Sequence, residues 1–199
     1  MTPNLWSFVV TAILLCLMPG PDNLFVLAQS ALNGRRAGLV TTLGLCAGLV
    51  IHTTAVVLGL AALIQASPFA FAMLKFAGAA YLLYLAWLAM KQPVTPDPTA
   101  NANSQGLFRR GFVMNVSNPK VSIFFLAFLP QFVDPSAGSV STQIILLGLL
   151  FISVSLVVFS AVSILGGTLN VLLTSPRAKK ILNRLSAVVY VLLAAKLAF

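Results

Sequence analysis

The sequence predicts an all-α polytopic membrane protein: six transmembrane helices in two inverted-topology three-helix repeats, the first helix of each repeat broken. Three observations lead there. The 199 residues are 59% hydrophobic and 8% charged, with a mean hydropathy of +1.01, whereas soluble domains carry about 25% charged residues. Six apolar runs follow one another, each long enough for the roughly 20 residues a span needs. The first and fourth runs are interrupted by proline beside a polar or charged residue, in CLMPGPDNLFVL (16–27) and NVSNPKVSIFF (115–125).

The spans are expected at 5–31, 39–65, 68–90, 110–133, 142–167 and 179–198. No basic segment precedes the first run and no small-residue cleavage site follows it, so it is expected to remain as span one. Span two carries Gly44, Gly48 and His52 on one stripe, a small-xxx-small spacing that suits close helix packing. Span three holds Lys75, Tyr81 and Tyr84. The stretch KQPVTPDPTANANSQGL (91–107) is rich in Pro, Asn, Thr and Ser and reads as a solvated linker. It divides a first three-helix repeat, 1–90, from a second, 108–199, the two forming one membrane domain. The serines at 153, 155, 160 and 163 read as interhelical hydrogen-bonders. Gly166 and Gly167 are expected to break the fifth run, leaving 168–174 near the interface.

Twelve Lys and Arg against three acids give a net charge of +9. The basic residues lie between apolar segments, so membrane topology accounts for them better than nucleic-acid binding does. Arg35, Arg36, Lys91, Arg109, Arg110, Arg177, Lys179 and Lys180 fall in the 1–2, 3–4 and 5–6 connections, and only Lys196 falls on the other side. The positive-inside rule places those eight in the cytoplasm and both termini outside. Trp6 and Trp87 sit near opposite ends of their spans, where interfacial rings are expected. Cys16 and Cys46 lie in apolar runs as packing residues. Their isolation gives no disulfide framework and no metal spacing, and nothing in the sequence implies a cofactor.

Proline lacks an N–H and its ring clashes with the carbonyl four residues back. Pro19 and Pro21 therefore free the carbonyls of Leu15 and Leu17, and Gly20 allows close approach to the backbone. A helix restarting at Pro21 leaves the amides of Asp22, Asn23 and Leu24 unpaired. In span four, Asn118 suits an N-cap and Pro119 the first helical position, with free amides beginning at Lys120. Pro119 lies about 14 Å beyond Arg110 at 1.5 Å per residue, close to the midplane. Such breaks persist only when buried in protein or lining a wet cavity. One per half, with three spans per half, is the sequence pointer to an inverted-repeat transporter.

Asp22 is the only acid inside a predicted span, since Asp97 and Asp134 fall in loops. A carboxylate at that depth costs on the order of 3 kcal/mol and needs a partner or a proton. Lys120 is the expected protein partner, and a substrate ammonium the other. Helix N-termini attract carboxylates, so the two breaks together suit a zwitterionic amino acid. Two readings stand for His52: a hydrogen-bonded packing residue, or part of a site or proton relay. Lys75 either snorkels outward or reaches the site, and Tyr81 is read first as packing or interfacial.

PGPDNLFVL, GLCAGLVIHTTAVVLGLAAL, LKFAGAAYLLYLAW and GFVMNVSNPKVSIFFLAFLPQFV, in that order over most of the chain, resemble the LysE/RhtB family of bacterial amino-acid exporters. PGP and NPK together are the specific signal. The resemblance implies proton-motive-force-linked efflux of an amino acid or related metabolite through the bacterial inner membrane, so the outer side that the charge bias gives to both termini is expected to be the periplasm. It singles out Pro19, Gly20, Pro21, Asp22 and Asn23, then Gly48 and His52, then Lys75, Gly78 and Tyr81, then Asn118, Pro119 and Lys120. One departure is Leu49, where relatives often carry a polar residue; it counts against a relay through His52.

The expected function is a secondary exporter alternating access around Asp22, Asn23, Asn118 and Lys120, with a small amino-acid-like substrate, protons and the lipid bilayer as partners. Monomer and homo-oligomer both remain open. The rivals are an intramembrane enzyme, a passive channel and a structural subunit of a membrane complex. No HExxH, GxSxG or dense polar cluster supports an enzyme.

Overall fold

The computed structural model describes residues 3–66, 68–91, 106–166 and 175–198. Among the described residues the chain is all helical. Its elements are α1 (Pro3–Leu17), α2 (Pro21–Asn33), α3 (Arg35–Ala66), α4 (Pro68–Lys91), α5 (Leu107–Val116), α6 (Pro119–Ile123), α7 (Val140–Ile164) and α8 (Pro176–Ala198). Helix α6 continues through a π turn, Phe124–Phe128, and a 3-10 turn, Leu129–Phe132. Four helices are long and apolar enough to cross a membrane, and the α1–α2 and α5–α6 pairs each add a span if each pair is counted as one. Most of the linker (92–105) and the stretch 168–174 expected at an interface lie outside the described residues.

Both pairs bend where proline was expected to break them, α1–α2 by 56° and α5–α6 by 49°. At the end of α2, Gly34 adopts a φ of +81°, a left-handed conformation that glycine accepts at little cost, and α3 starts at the next residue.

Helix α3 is central, packing chiefly on α5 and α7, while α4 pairs with α8. The α3–α5 contact is backbone on backbone. A Cβ on Gly44 would strike the carbonyl oxygen of Phe108, and one on Gly111 would lie 2.5 Å from that of Thr41. Small residues let helices approach where lipid supplies no hydrophobic drive for association. On α7, Gly148 likewise receives Thr53, whose methyl carbon would lie within contact of any added Cβ. The expected packing role of the Gly44–Gly48–His52 stripe is therefore observed, with α5 as its partner.

An aromatic joint fixes α6 against α1 and α7. Phe8 lies edge-on to Phe132 with centroids 5.1 Å apart, and Phe124 lies 4.9 Å from Phe151. Phe8, Phe125 and Phe128 are fully buried. The π turn bears this joint: it carries Phe124, Phe125, Ala127 and Phe128 into the core. Trp6 and Trp87 are exposed, and Trp87 stacks on Tyr84 beneath the Lys91 ammonium. Beyond the spans, Asp134 caps the short turn Pro135–Ala137 by accepting from the Ser136 amide at 2.9 Å.

The α3–α5 contact makes a prediction. Gly44→Val in the purified protein is expected to lose about 1–3 kcal/mol through overpacking, seen as a lowered melting temperature in detergent. Gly59→Ala, where an added Cβ meets nothing within 4 Å, is expected to melt as the parent does.

Candidate functional site

At the first bend, α1 closes with the Met18 amide on the Leu14 carbonyl at 2.9 Å, and α2 begins behind an extended Gly20. The carbonyls left at this helix end are capped by side chains. Lys120 Nζ donates to Leu15 O at 3.0 Å and to Met18 O at 3.2 Å. The Asn23 amide nitrogen donates to Cys16 O. Leu15 is one of the two carbonyls expected to be freed; the others capped are those of Cys16 and Met18, not Leu17. A Cβ on Gly20 would lie 3.2 Å from Lys120 Nζ, so the glycine lets the ammonium approach the bend closely.

At the second bend, Asn118 is the N-cap of α6 and Pro119 its first residue, as the sequence predicts. Asn118 Oδ1 accepts from the Lys120 amide at 3.0 Å, and its carbonyl accepts from the amides of Val121 and Ser122, each at 3.1 Å. This corrects the expectation of free amides from Lys120 onward: the cap uses them. At the first bend the Leu24 amide is also used, on Gly20 O at 3.0 Å. Gly20 offers no side chain to cap the amides of Asp22 and Asn23.

The partner of Asp22 is a second correction. Asp22 Oδ2 accepts from Asn115 Nδ2 at 2.8 Å, across the two bends. Lys120 instead turns to the α1 carbonyls, where the helix presents its partial negative charge; from there it attracts the carboxylate without bonding to it. Asp22, Asn115, Asn118 and Lys120 are all buried, with 4%, 1%, 3% and 8% exposure.

Asn115 is the residue that sequence reasoning missed. It stands one turn before Asn118, and Gly48 faces it: a Cβ on Gly48 would sit 2.6 Å from Asn115 Oδ1. His52, one turn further along α3, meets the Asn115 carbonyl through Nε2 at 3.1 Å. A carbonyl only accepts, so His52 Nε2 carries the proton in this contact. This hydrogen bond fits the packing reading of the histidine, which holds the backbone of the residue that bonds Asp22.

The bends border a narrow cleft with about 20 Å³ of open space, room for about one water molecule. Asp22, Asn23, Asn115 and Lys120 form its polar side, and Leu49, Val121, Phe124, Phe151 and Phe159 form apolar walls. The expected position of Leu49 beside Gly48 makes it one of these walls. Cys16 and Ser155 close one side, with Sγ and Oγ 3.2 Å apart. Ser163 also reaches across helices, to Thr42 at 3.4 Å. Ser153 does not: it is exposed and bonds to Leu149 O of its own helix. Lys75 and Tyr81 are half-buried on α4 and do not line this cleft. Tyr81 packs on Tyr84, and Gly78 faces Ala127 and Leu197.

Two interrupted helices that bury a carboxylate and an ammonium beside an apolar-walled cleft make a membrane transporter, and not an enzyme, the best-founded class for this chain. The sequence comparisons agree: the chain belongs to the LysE type translocator family, whose model matches residues 13–199. It is 33% identical to a homoserine/homoserine lactone efflux protein of Salmonella typhimurium over 100% of this chain and 98% of that protein. It is 30% identical to a leucine efflux protein of Enterobacter sp. over 98% and 95% of the two chains. A match at 36% identity to an uncharacterized membrane protein of Pseudomonas aeruginosa covers 66% of this chain and 65% of that one. No solved structure matches.

Lys120→Met is expected to leave the Leu15 and Met18 carbonyls buried without donors. Each orphan costs about 1–3 kcal/mol, so the purified variant should melt well below the parent. An unchanged melting curve would show that the Lys120 contacts contribute nothing to the join between the bends.

Proposed function

We propose that the protein is a secondary exporter of a small amino acid or amino-acid derivative, seated in the bacterial inner membrane. The observation that carries this reading is the meeting of the two bends: Asn115 of α5 bonds Asp22 of α2, and Lys120 of α6 bonds the end of α1. Similarity to efflux proteins for homoserine, its lactone and leucine supports an amino-acid-like cargo.

In this reading each bent pair is one span. The chain then has six spans in two inverted three-helix repeats, 1–90 and 108–199, joined by a cytoplasmic linker at 91–107, with both termini periplasmic. The eight-to-one bias of Lys and Arg supports that sidedness. Pro19, Gly20, Pro21 and Pro119 shape the bends. Asp22, Asn23, Asn118 and Lys120 are the groups around which access alternates. His52 and Gly48 act by seating Asn115.

Asp22 is the coupling residue of this proposal. Its carboxylate can hold either a proton or a substrate ammonium, so loading from one side and release to the other exchanges the two. Asp22→Asn keeps the size and one acceptor oxygen while removing the titration.

Efflux from preloaded proteoliposomes over a panel of amino acids, with and without a pH gradient, tests the reading. The parent should show saturable efflux of at least one amino acid, accelerated by the gradient. Asp22→Asn should insert normally and lose the gradient-driven component. Efflux by Asp22→Asn with the parent's pH dependence would show that the proton travels elsewhere. For sidedness, single cysteines near the N-terminus and in the 91–107 linker should react with an impermeant thiol reagent from opposite faces. Reaction of both from one face would sink the six-span arrangement.

A further inference from the structure

From Phe25 to Ser30 every residue of α2 is buried, and two of the six are polar. Gln29 has no exposed surface, and its Nε2 has no hydrogen-bond partner among the described residues. Its Oε1 accepts from Asn33 Nδ2 at 2.8 Å, so the free end is the donor. A buried donor without an acceptor is costly, and an apolar residue here would avoid that cost.

Helix geometry shows what shares a face with Gln29. At 3.6 residues per turn, Asp22, Gln29 and Asn33 lie within about 40° of one another, and Gln29 stands about 10 Å beyond Asp22 along the axis. The direction is toward Gly34, Arg35 and Arg36. Val26, fully buried, is the residue of that face between Asp22 and Gln29. The bundle at the level of Gln29 is small and polar. Gly38 of α3 makes room for the hydroxyls of Ser30 and Ser163, and Thr42 Oγ1 lies 3.4 Å from Ser163 Oγ. These hydroxyls donate to carbonyls of their own helices, which leaves oxygen lone pairs at this level.

The second bend has no such continuation. Seven residues past Lys120 stands Ala127, and the same stretch carries Phe124, Phe125 and Phe128 into the aromatic joint. The cleft itself has room for about one water molecule, so cargo enters only when a neighbouring layer yields. A single valine is a thinner barrier than stacked phenylalanines.

We propose that Gln29 is a second cargo-binding station, on a path along this face of α2 that joins the Asp22 cleft to the Arg35–Arg36 end of the bundle and is shut at Val26 in this structure. The two stations act in sequence, because their separation exceeds the ammonium-to-carboxylate span of an α-amino acid. Gln29 Nε2 donates to the cargo carboxylate as it passes. This assignment deepens the export reading and rests on it for the cargo class.

One test separates function from stability. Gln29→Leu removes a buried donor that lacks a partner, at nearly constant volume, so the purified variant should melt no lower than the parent. In proteoliposomes its efflux of whichever amino acid the parent moves should fall by roughly tenfold or more, the loss of one hydrogen bond to a charged group. Efflux equal to the parent's, or a lowered melting temperature, overturns the station. A second test needs no cargo. In a chain whose Cys16 and Cys46 are replaced by alanine, Gln29→Cys is treated with trimethylammonium-ethyl methanethiosulfonate, a membrane-impermeant cation on the scale of an amino acid. Applied from the face bearing Arg35 and Arg36, the reagent should form its mixed disulfide faster with Gln29→Cys than with Val157→Cys, a position exposed on the outer surface of α7. Reaction no faster than that of Val157→Cys, or reaction from the opposite face alone, overturns the path. The export reading is judged separately: a parent that moves no amino acid removes it, and the thiol reaction then decides the path by itself.

Discussion

A helix interrupted in buried, apolar surroundings leaves backbone carbonyls without donors, and here Lys120 takes two of them. This contact has consequences in both directions. It closes the end of α1, where the carbonyls of the buried Leu15 and Met18 would otherwise lack donors. It also holds the start of α6 against that end, so that the two bends lie face to face. Once they do, Asn115 and Asp22 come within bonding distance, and the cleft between them is polar on one side only. The requirement that every backbone group be satisfied thus becomes the device that assembles the site.

The rest of the bundle serves this meeting. Gly44 and Gly111 bring α3 and α5 into backbone contact, and Gly48 makes room for the Asn115 side chain. His52 donates to the Asn115 carbonyl and fixes the last turn of α5 before the bend. On the other side, Phe8, Phe124, Phe132 and Phe151 lock α6 to α1 and α7. The π turn at Phe124–Phe128 supplies Phe124 to that joint, and such turns recur at functional sites. Family membership and similarity to efflux proteins agree with a cleft built at helix interruptions rather than on a catalytic cluster.

Much of this was legible in the sequence because it depends on local chemistry. Proline in an apolar run fixes where a helix must break, and Asn118-Pro119 fixes how the next one starts. Those rules placed both bends, the cap and the close approach at Gly20 correctly. What was not legible depends on which of several partners a long side chain chooses. Charge alone paired Lys120 with Asp22, yet the ammonium lies on two carbonyls, because a helix C-terminus offers it two acceptors at once. The same substitution of partners hid Asn115. An asparagine one turn before a cap reads as a helix-packing residue until the opposing bend brings a carboxylate to it. The π turn was illegible for a different reason: nothing in FFLAF distinguishes a π turn from an α-helix except the packing it must reach.

The central claim is that the two bends share one site, and it can be measured in the membrane itself. Asp22→Cys combined with Asn115→Cys, in a chain whose Cys16 and Cys46 have been replaced by alanine, places two thiols where a 2.8 Å hydrogen bond joins the parent side chains. A short bifunctional thiol reagent, applied to membranes bearing this variant, should join the two positions in high yield. Detection is by protease cleavage in the 91–107 linker, which then fails to separate the halves on a denaturing gel. Separation of the halves, in a variant whose single cysteines each react with the reagent, would contradict the account.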